Sequence, residues 1–175
     1  MARRLEKLFA KIYDKNIELI YRFIFLKTSS KEVAEDLTSQ VFAKAWKKFQ
    51  SQQETIQNIS AYLFQIARAE VANYYRSASR LPLSHNDSLE QLEKTADSAQ
   101  NPEQRQVQAS WHFEIKQAMH QLSEEEQNIL FLHYVEGMPF KKISEILGRP
   151  ENTTRVMAHR SLKNLRDILE NKNKN

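Results

Sequence analysis

Apolar residues recur along this chain at intervals of three and four, the period of helices that bury one face. Leu5, Leu8, Phe9 and Ile12 open such a stripe, which predicts a helix to Leu26, with or without a break near Asn16. Thr28 and Ser29 interrupt it, and Ser29 with Glu32 three residues later has capping-box spacing for a second helix. There Leu37, Val41, Ala45 and Phe49 fall on one stripe with Phe42 and Trp46 beside it, while Asp36, Gln40 and Lys47 share an opposite face. The polar, aperiodic run between Phe49 and Ser60 predicts a loop, and Ser60 is the candidate N-cap of a third helix. Leu63, Ile66, Ala67, Val71 and Tyr74 form its inward stripe; Gln65, Ala69, Ala72, Asn73, Arg76 and Arg80 lie on another face.

A second set of helical signals begins at Leu122. Ser123 and Glu126 make another capping box, opening a helix through Ile129, Leu130, Leu132 and Tyr134 that ends near Gly137. Pro139 starts the next, with Phe140, Ile143, Ile146 and Leu147 inward and Gly148 as its stop. Pro150 follows at once, tolerated in a helix's first turn because no amide donor is needed there. This is helix-turn-helix spacing. In the last helix Ala158, Leu162, Leu165 and Leu169 face inward, leaving Asn152, Arg155, His159, Lys163 and Arg166 outward.

Between the two sets the chain changes character. From Ser84 to Gln104 it holds Asp87, Glu90, Glu93, Asp97 and Glu103 against Lys94 alone, with Pro82 and Pro102 near its ends. That composition predicts a solvated acidic linker over 82–104. The expected fold is all-α, with two small helical domains, 1–81 and 105–175, joined by a flexible linker, the C-terminal one a helix-turn-helix. Only two glycines in 175 residues agree with helix throughout.

Charge adds direction. The whole chain carries +4, but from Lys141 onward nine bases face four acids, leaving +5 in that segment alone. The absence of cysteine excludes disulfides and thiolate metal sites. No apolar run is long enough to span a bilayer, and Glu6, Lys7 and Lys11 stand where a signal peptide needs an apolar core, so a cytoplasmic protein without membrane insertion is expected. His85, His112, His120, His133 and His159 show no paired metal-ligand spacing, and no phosphate-cradling glycine loop occurs. No catalytic, cofactor or metal site is expected, and an enzyme is not.

Two faces suit nucleic acid. The third helix has small residues at the centre of one face and arginines at its end, so a sugar-phosphate backbone could approach closely and be held by bidentate guanidinium contacts. Trp46, Tyr62, Tyr74 and Tyr75 lie near it and could stack on unpaired bases, although aromatics in a helical bundle more often belong to the core. The last helix would present its N-terminal side chains to base edges in a major groove, with longer basic residues on phosphates. The bland alternative is a small bundle with a solvated basic face.

The ordered series AEDL, F-x-x-AW, YL-x-x-IAR, YYR, L-x-x-EEQ-x-IL, I-x-x-ILG and HR-x-LK-x-LR resembles bacterial RNA polymerase sigma factors of the extracytoplasmic-function (ECF) group, which keep only regions two and four. The resemblance covers nearly the whole chain and is weakest in the linker. It implies that the helix with Glu35, Asp36, Gln40, Phe42 and Trp46 docks on the clamp of the polymerase's largest subunit. Region two would open the minus-ten promoter element, using a base-capturing loop from Gln50 to Asn58, together with Tyr62, Arg68, Asn73, Arg76 and Arg80. Region four would read the minus-thirty-five element with Arg149, Asn152, Thr153, Thr154, Arg155, His159, Arg160 and Lys163, its other side meeting the flap of the second-largest subunit. Core RNA polymerase and promoter DNA are the implied partners, an anti-sigma factor is expected of the group, and a monomer suffices.

Several positions depart from the group's usual pattern. Ser39 and Gln40 stand where glutamine followed by glutamate is common, which removes a charge from the polymerase-facing surface. Ala69 and Asn73 replace the usual asparagine and aspartate of the minus-ten helix. Asn152 replaces a frequent glycine, and Val156 and Met157 a typical serine and arginine; either of the last two, if outward, could meet a thymine methyl in place of a phosphate. A promoter sequence unlike the common one is therefore expected. The competing reading is an ordinary helix-turn-helix regulator whose N-terminal bundle senses a ligand or dimerises.

Overall fold

The computed structural model describes residues 2–51, 58–78 and 113–172, and every regular element among them is helical. The chain divides into two compact units, Met1–Lys94 and Thr95–Asn175. The predicted linker, 82–104, lies outside the described residues, as does the stretch 52–57.

Three long helices make the N-terminal unit: α1 (Ala2–Thr28), α2 (Lys31–Ser51) and α3 (Ile59–Ala78). Each packs on the other two. Ile20, Phe23 and Ile24 of α1 meet Leu37, Val41 and Ala45 of α2 and Leu63, Phe64, Ala67 and Val71 of α3 in a continuous core. The rings of Phe23 and Phe64 lie 4.5 Å apart at its centre. No break occurs near Asn16. Its amide is buried, donates to the Ile12 carbonyl at 2.7 Å and accepts from the Ser60 hydroxyl at 2.8 Å, so a polar residue inside an apolar stripe is satisfied without interrupting α1.

Both helix starts in this unit differ from the expected caps by one or two residues. The N-cap of α2 is Ser30, whose hydroxyl accepts from the Val33 amide at 3.4 Å, and not Ser29. Ser29 instead closes α1: it adopts φ 54° and its amide donates to the Phe25 carbonyl, a left-handed cap that glycine usually supplies. Asn58, not Ser60, caps α3, its side-chain oxygen accepting from the Ala61 amide at 3.0 Å. The inward stripe of α3 is also rotated. Phe64 and Glu70 are buried, while Ile66 and Tyr74 are only half-buried, because α3 is covered by α1 and α2 from two sides.

The C-terminal unit holds α4 (described over 113–120), α5 (Glu124–Leu130), α6 (Phe140–Leu147) and α7 (Glu151–Lys172). The capping box at Ser123 and Glu126 is complete in both directions. After Leu130 the helix widens into one π turn, Phe131–Val135, where the Glu136 amide reaches back five residues to the Phe131 carbonyl. The wider turn changes which side chains point inward: Phe131 and Leu132 are buried, and Tyr134 is exposed. Pro139 is the N-cap of α6, and Gly148 ends it at φ 65°, where a side chain would be strained. Ile143 of α6 and Ala158 of α7 are fully buried, as α7 packs on both α5 and α6. Leu162, Leu165 and Leu169 continue the inward stripe of α7, half-buried.

Candidate nucleic-acid and polymerase interfaces

The helix-turn-helix is α6, the Gly148–Pro150 turn and α7. Thr154, Ala158 and Ser161 anchor α7 inside the unit. With 3.6 residues per turn, Asn152, Val156, His159 and Lys163 then fall within an arc of about 60° on the far side, flanked by Arg155 on one edge and Arg160 on the other. All six are exposed, as is Thr153. Thr154 was expected on this face and is a correction: it is fully buried and its hydroxyl donates back to the Pro150 carbonyl at 3.1 Å. It serves the turn, since at 3.6 residues per turn it lies on the inward side of α7 with Ala158 and Ser161.

Arg155 is held in place. Its guanidinium pairs with Glu151 one turn earlier at 3.1 Å and lies over the Phe140 ring, 5.3 Å from the centroid. Phe140 in turn stacks on His133 at 4.1 Å, and His133 Nδ1 sits 3.0 Å from the Met138 carbonyl. A fork pinned on two sides loses less side-chain freedom when it meets a base or phosphate. Arg149, in the turn, is ion-paired with Glu125 at the start of α5. Lys141 and Lys142 are also exposed, in the first turn of α6.

Glu126 ties the motif together. Its carboxylate accepts from the Ser123 amide at 2.9 Å and hydroxyl at 2.7 Å, and from Asn164 of α7 at 2.6 Å. Burial pushes its pKa up, but those hydrogen bonds, from Ser123 first, and the nearby Arg160 outweigh it and hold the group below its ordinary value.

In the N-terminal unit, Tyr62, Gln65, Ala69, Asn73 and Arg76 share one side of α3 within about 80° of arc. All but Tyr62 are exposed; Tyr62 and Arg68 are half-buried. Gln50 is exposed in the last turn of α2, and Asn58 spends its side chain on capping α3. The core of the expected base-capturing loop and Arg80 lie outside the described residues. Among the aromatics, Tyr75 donates its hydroxyl to the Lys27 carbonyl; burial, then the neighbouring Tyr74, raises its pKa. That bond fastens the end of α3 to the end of α1.

The polymerase-facing set separates into two groups. Glu35 and Asp36 are exposed on α2, and Gln40 donates to Asp36 at 2.7 Å. Phe42 is a second correction. It is 4% exposed and packs on Tyr13 and Phe9 with ring centroids 4.7 and 6.5 Å away, so it belongs to the core. Trp46 is half-buried, 4.9 Å from Phe9 and stacked beside Phe49. Sequence reasoning also missed Lys44 and Glu70, which join α2 to α3 at 2.6 Å with the carboxylate almost fully enclosed. A lone acid in the middle of α3 was the only hint.

Among the described residues no group of three or more His, Cys, Asp or Glu is placed to hold a metal, and no helix is long and apolar enough to cross a membrane. The described residues thus form two helical units, the C-terminal one a helix-turn-helix whose last helix presents an exposed, basic face.

Comparison with known proteins is more specific. Residues 12–81 match the model for sigma-70 region 2, and residues 112–165 match that for sigma-70 region 4. The ECF sigma factor BldN of Streptomyces coelicolor is 24% identical over 162 residues, covering 92% of this chain and 60% of that protein. The ECF sigma factor SigM of Bacillus subtilis is 25% identical over 163 residues, covering 90% of this chain and 93% of its own length. Among solved structures, the sigma factor RpoE of Bartonella quintana, in complex with the anti-sigma factor NepR, has the same fold, with a TM-score of 0.62 at 20% identity over 94% of this chain and 98% of that one. The chain belongs to the sigma-70 family, in its ECF group, with regions 2 and 4.

Proposed function

We propose that the chain is a promoter-specificity subunit: it docks on core RNA polymerase, holds the opened minus-ten element with its N-terminal unit and reads the minus-thirty-five element with α7. The observation that carries this reading is the exposed face of α7, where Asn152, Thr153, Arg155, His159, Arg160 and Lys163 stand clear of the core in a chain matched to both sigma regions. Glu35, Asp36, Gln40 and the exposed part of Trp46 form the polymerase-docking face. The side of α3 with Tyr62, Asn73 and Arg76 meets the minus-ten strand, with the half-buried Arg68 on the adjoining side of the helix.

The chain supplies no catalytic step. Extruding a base costs a few kcal/mol, which stacking and pocket hydrogen bonds offset once phosphate contacts hold the duplex in register. Polymerase performs the chemistry. Linking two binding units raises the effective concentration at the second site once the first is engaged, so neither alone binds promoters well. The protein works in the cytoplasm as a monomer on the polymerase, and an anti-sigma factor is its expected inhibitor.

In vitro transcription with core enzyme and a promoter library tests this. The chain should bind duplex feebly alone and direct transcription from defined start sites with core polymerase. Tight binding to a duplex operator without core, and no association with core, would replace the sigma reading with that of an ordinary regulator.

A further inference from the structure

Val156 is 56% exposed, although it is an aliphatic residue on the most polar face of its unit. It lies on the Arg160 side of the outward arc of α7, between Asn152 and His159 along the helix and between Arg155 and Arg160 across it. Its neighbour Met157 is half-buried and turned towards the body of the unit, so the two residues divide: one outward, one not. The flanking arginines can reach guanine edges or phosphates, whereas a branched hydrocarbon between them has no hydrogen-bonding use. In a major groove the one apolar group on a base edge is the 5-methyl of thymine.

We infer that Val156 is a specificity-determining residue that recognises a thymine methyl group in the upstream promoter element. This rests on the sigma reading of α7 and adds to it the chemistry of one base contact. Arg155, pinned by Glu151 and Phe140, sets the depth at which the helix sits, and Val156 then meets the base edge beside the arginine's contact. Cytosine and deoxyuridine at that position lack the methyl and leave the valine against open groove.

The test uses duplex DNA selected from a random pool by the full chain assembled with core polymerase. The selected duplex is remade with deoxyuridine in place of thymidine, one position at a time, which deletes a methyl and no hydrogen-bonding atom. One upstream position should lose about three- to fivefold in affinity, the effect of a single buried methyl. Val156→Ser should bind the thymidine and deoxyuridine duplexes alike at that position, while Met157→Ser keeps the discrimination. Full discrimination retained by Val156→Ser, or no upstream thymidine whose methyl matters, overturns the inference and leaves the sigma reading intact. Failure of the assembled complex to select any promoter-like DNA removes both.

Discussion

In α7 the residues that hold the fold and those proposed to meet DNA occupy opposite sides of one helix; in α2 the core residues and those proposed to meet polymerase overlap. α7 is covered from one direction by α5 and α6, so Thr154, Ala158 and Ser161 face in and everything about half a turn away faces out. α2 packs on both α1 and α3, and of its aromatic residues Phe42 and Phe49 are buried while Trp46 is half-buried against Phe9 of α1. A helix with one neighbour layer can therefore be divided by periodicity alone. A helix with two cannot, because the buried arc widens beyond a single stripe.

The largest test of this contrast is Phe42→Ala. Deleting a ring packed between Phe9 and Tyr13 should lower the stability of the N-terminal unit by about 3–5 kcal/mol in denaturant titration. A change under 1 kcal/mol, with polymerase binding lost, would return Phe42 to the docking surface.

Arg155→Ala is the counterpart on α7. Its loss should cost about 1–3 kcal/mol of upstream-element binding if it meets a base edge, read by mobility shift of the polymerase complex. Folding should change by less than about 0.5 kcal/mol, because the pair with Glu151 is exposed. A uniform loss on all sequences, with a salt slope shallower by about one, would make it a phosphate contact instead.

The cap of α5 provides a third test. Ser123→Ala should cost about 1 kcal/mol. Because the folded pKa of Glu126 lies below its ordinary value of 4.5, the folded state binds fewer protons, and the stabilisation is complete above that value and fades as pH falls through the lower folded pKa. The stability gap between wild type and Glu126→Gln, followed by thermal melts, should shrink on acidification below about pH 4.5; a gap that is independent of pH would deny the carboxylate this role.

The smallest effect is at Asn128, fully buried in α5, whose two side-chain polar atoms have no hydrogen-bond partner among the described residues. Asn128→Leu removes that unmet demand and should raise stability by up to about 1 kcal/mol. Destabilisation would mean that the amide has a partner, and that the C-terminal core, like the N-terminal one, depends on an internal polar contact.

Much of this protein is written locally. The capping box at Ser123 and Glu126, the stops at Gly137 and Gly148, and the inward Ala158 with outward Arg155, His159 and Lys163 all follow from short-range backbone chemistry and one helical period. So do the stripe from Leu37 to Phe49 and the basic charge beyond Lys141. Other features depended on packing between distant segments. Ser60 turned from a helix cap into a partner for Asn16, 44 residues away. Tyr75 became a fastener for α1, Glu70 an enclosed partner for Lys44, and Phe42 a core ring. Tyr134 came to lie outward because one π turn shifted the register. Composition and period determine that a segment is helical and which half is apolar. How wide the buried arc becomes, and which polar group finds a partner across the fold, is set only when helices meet.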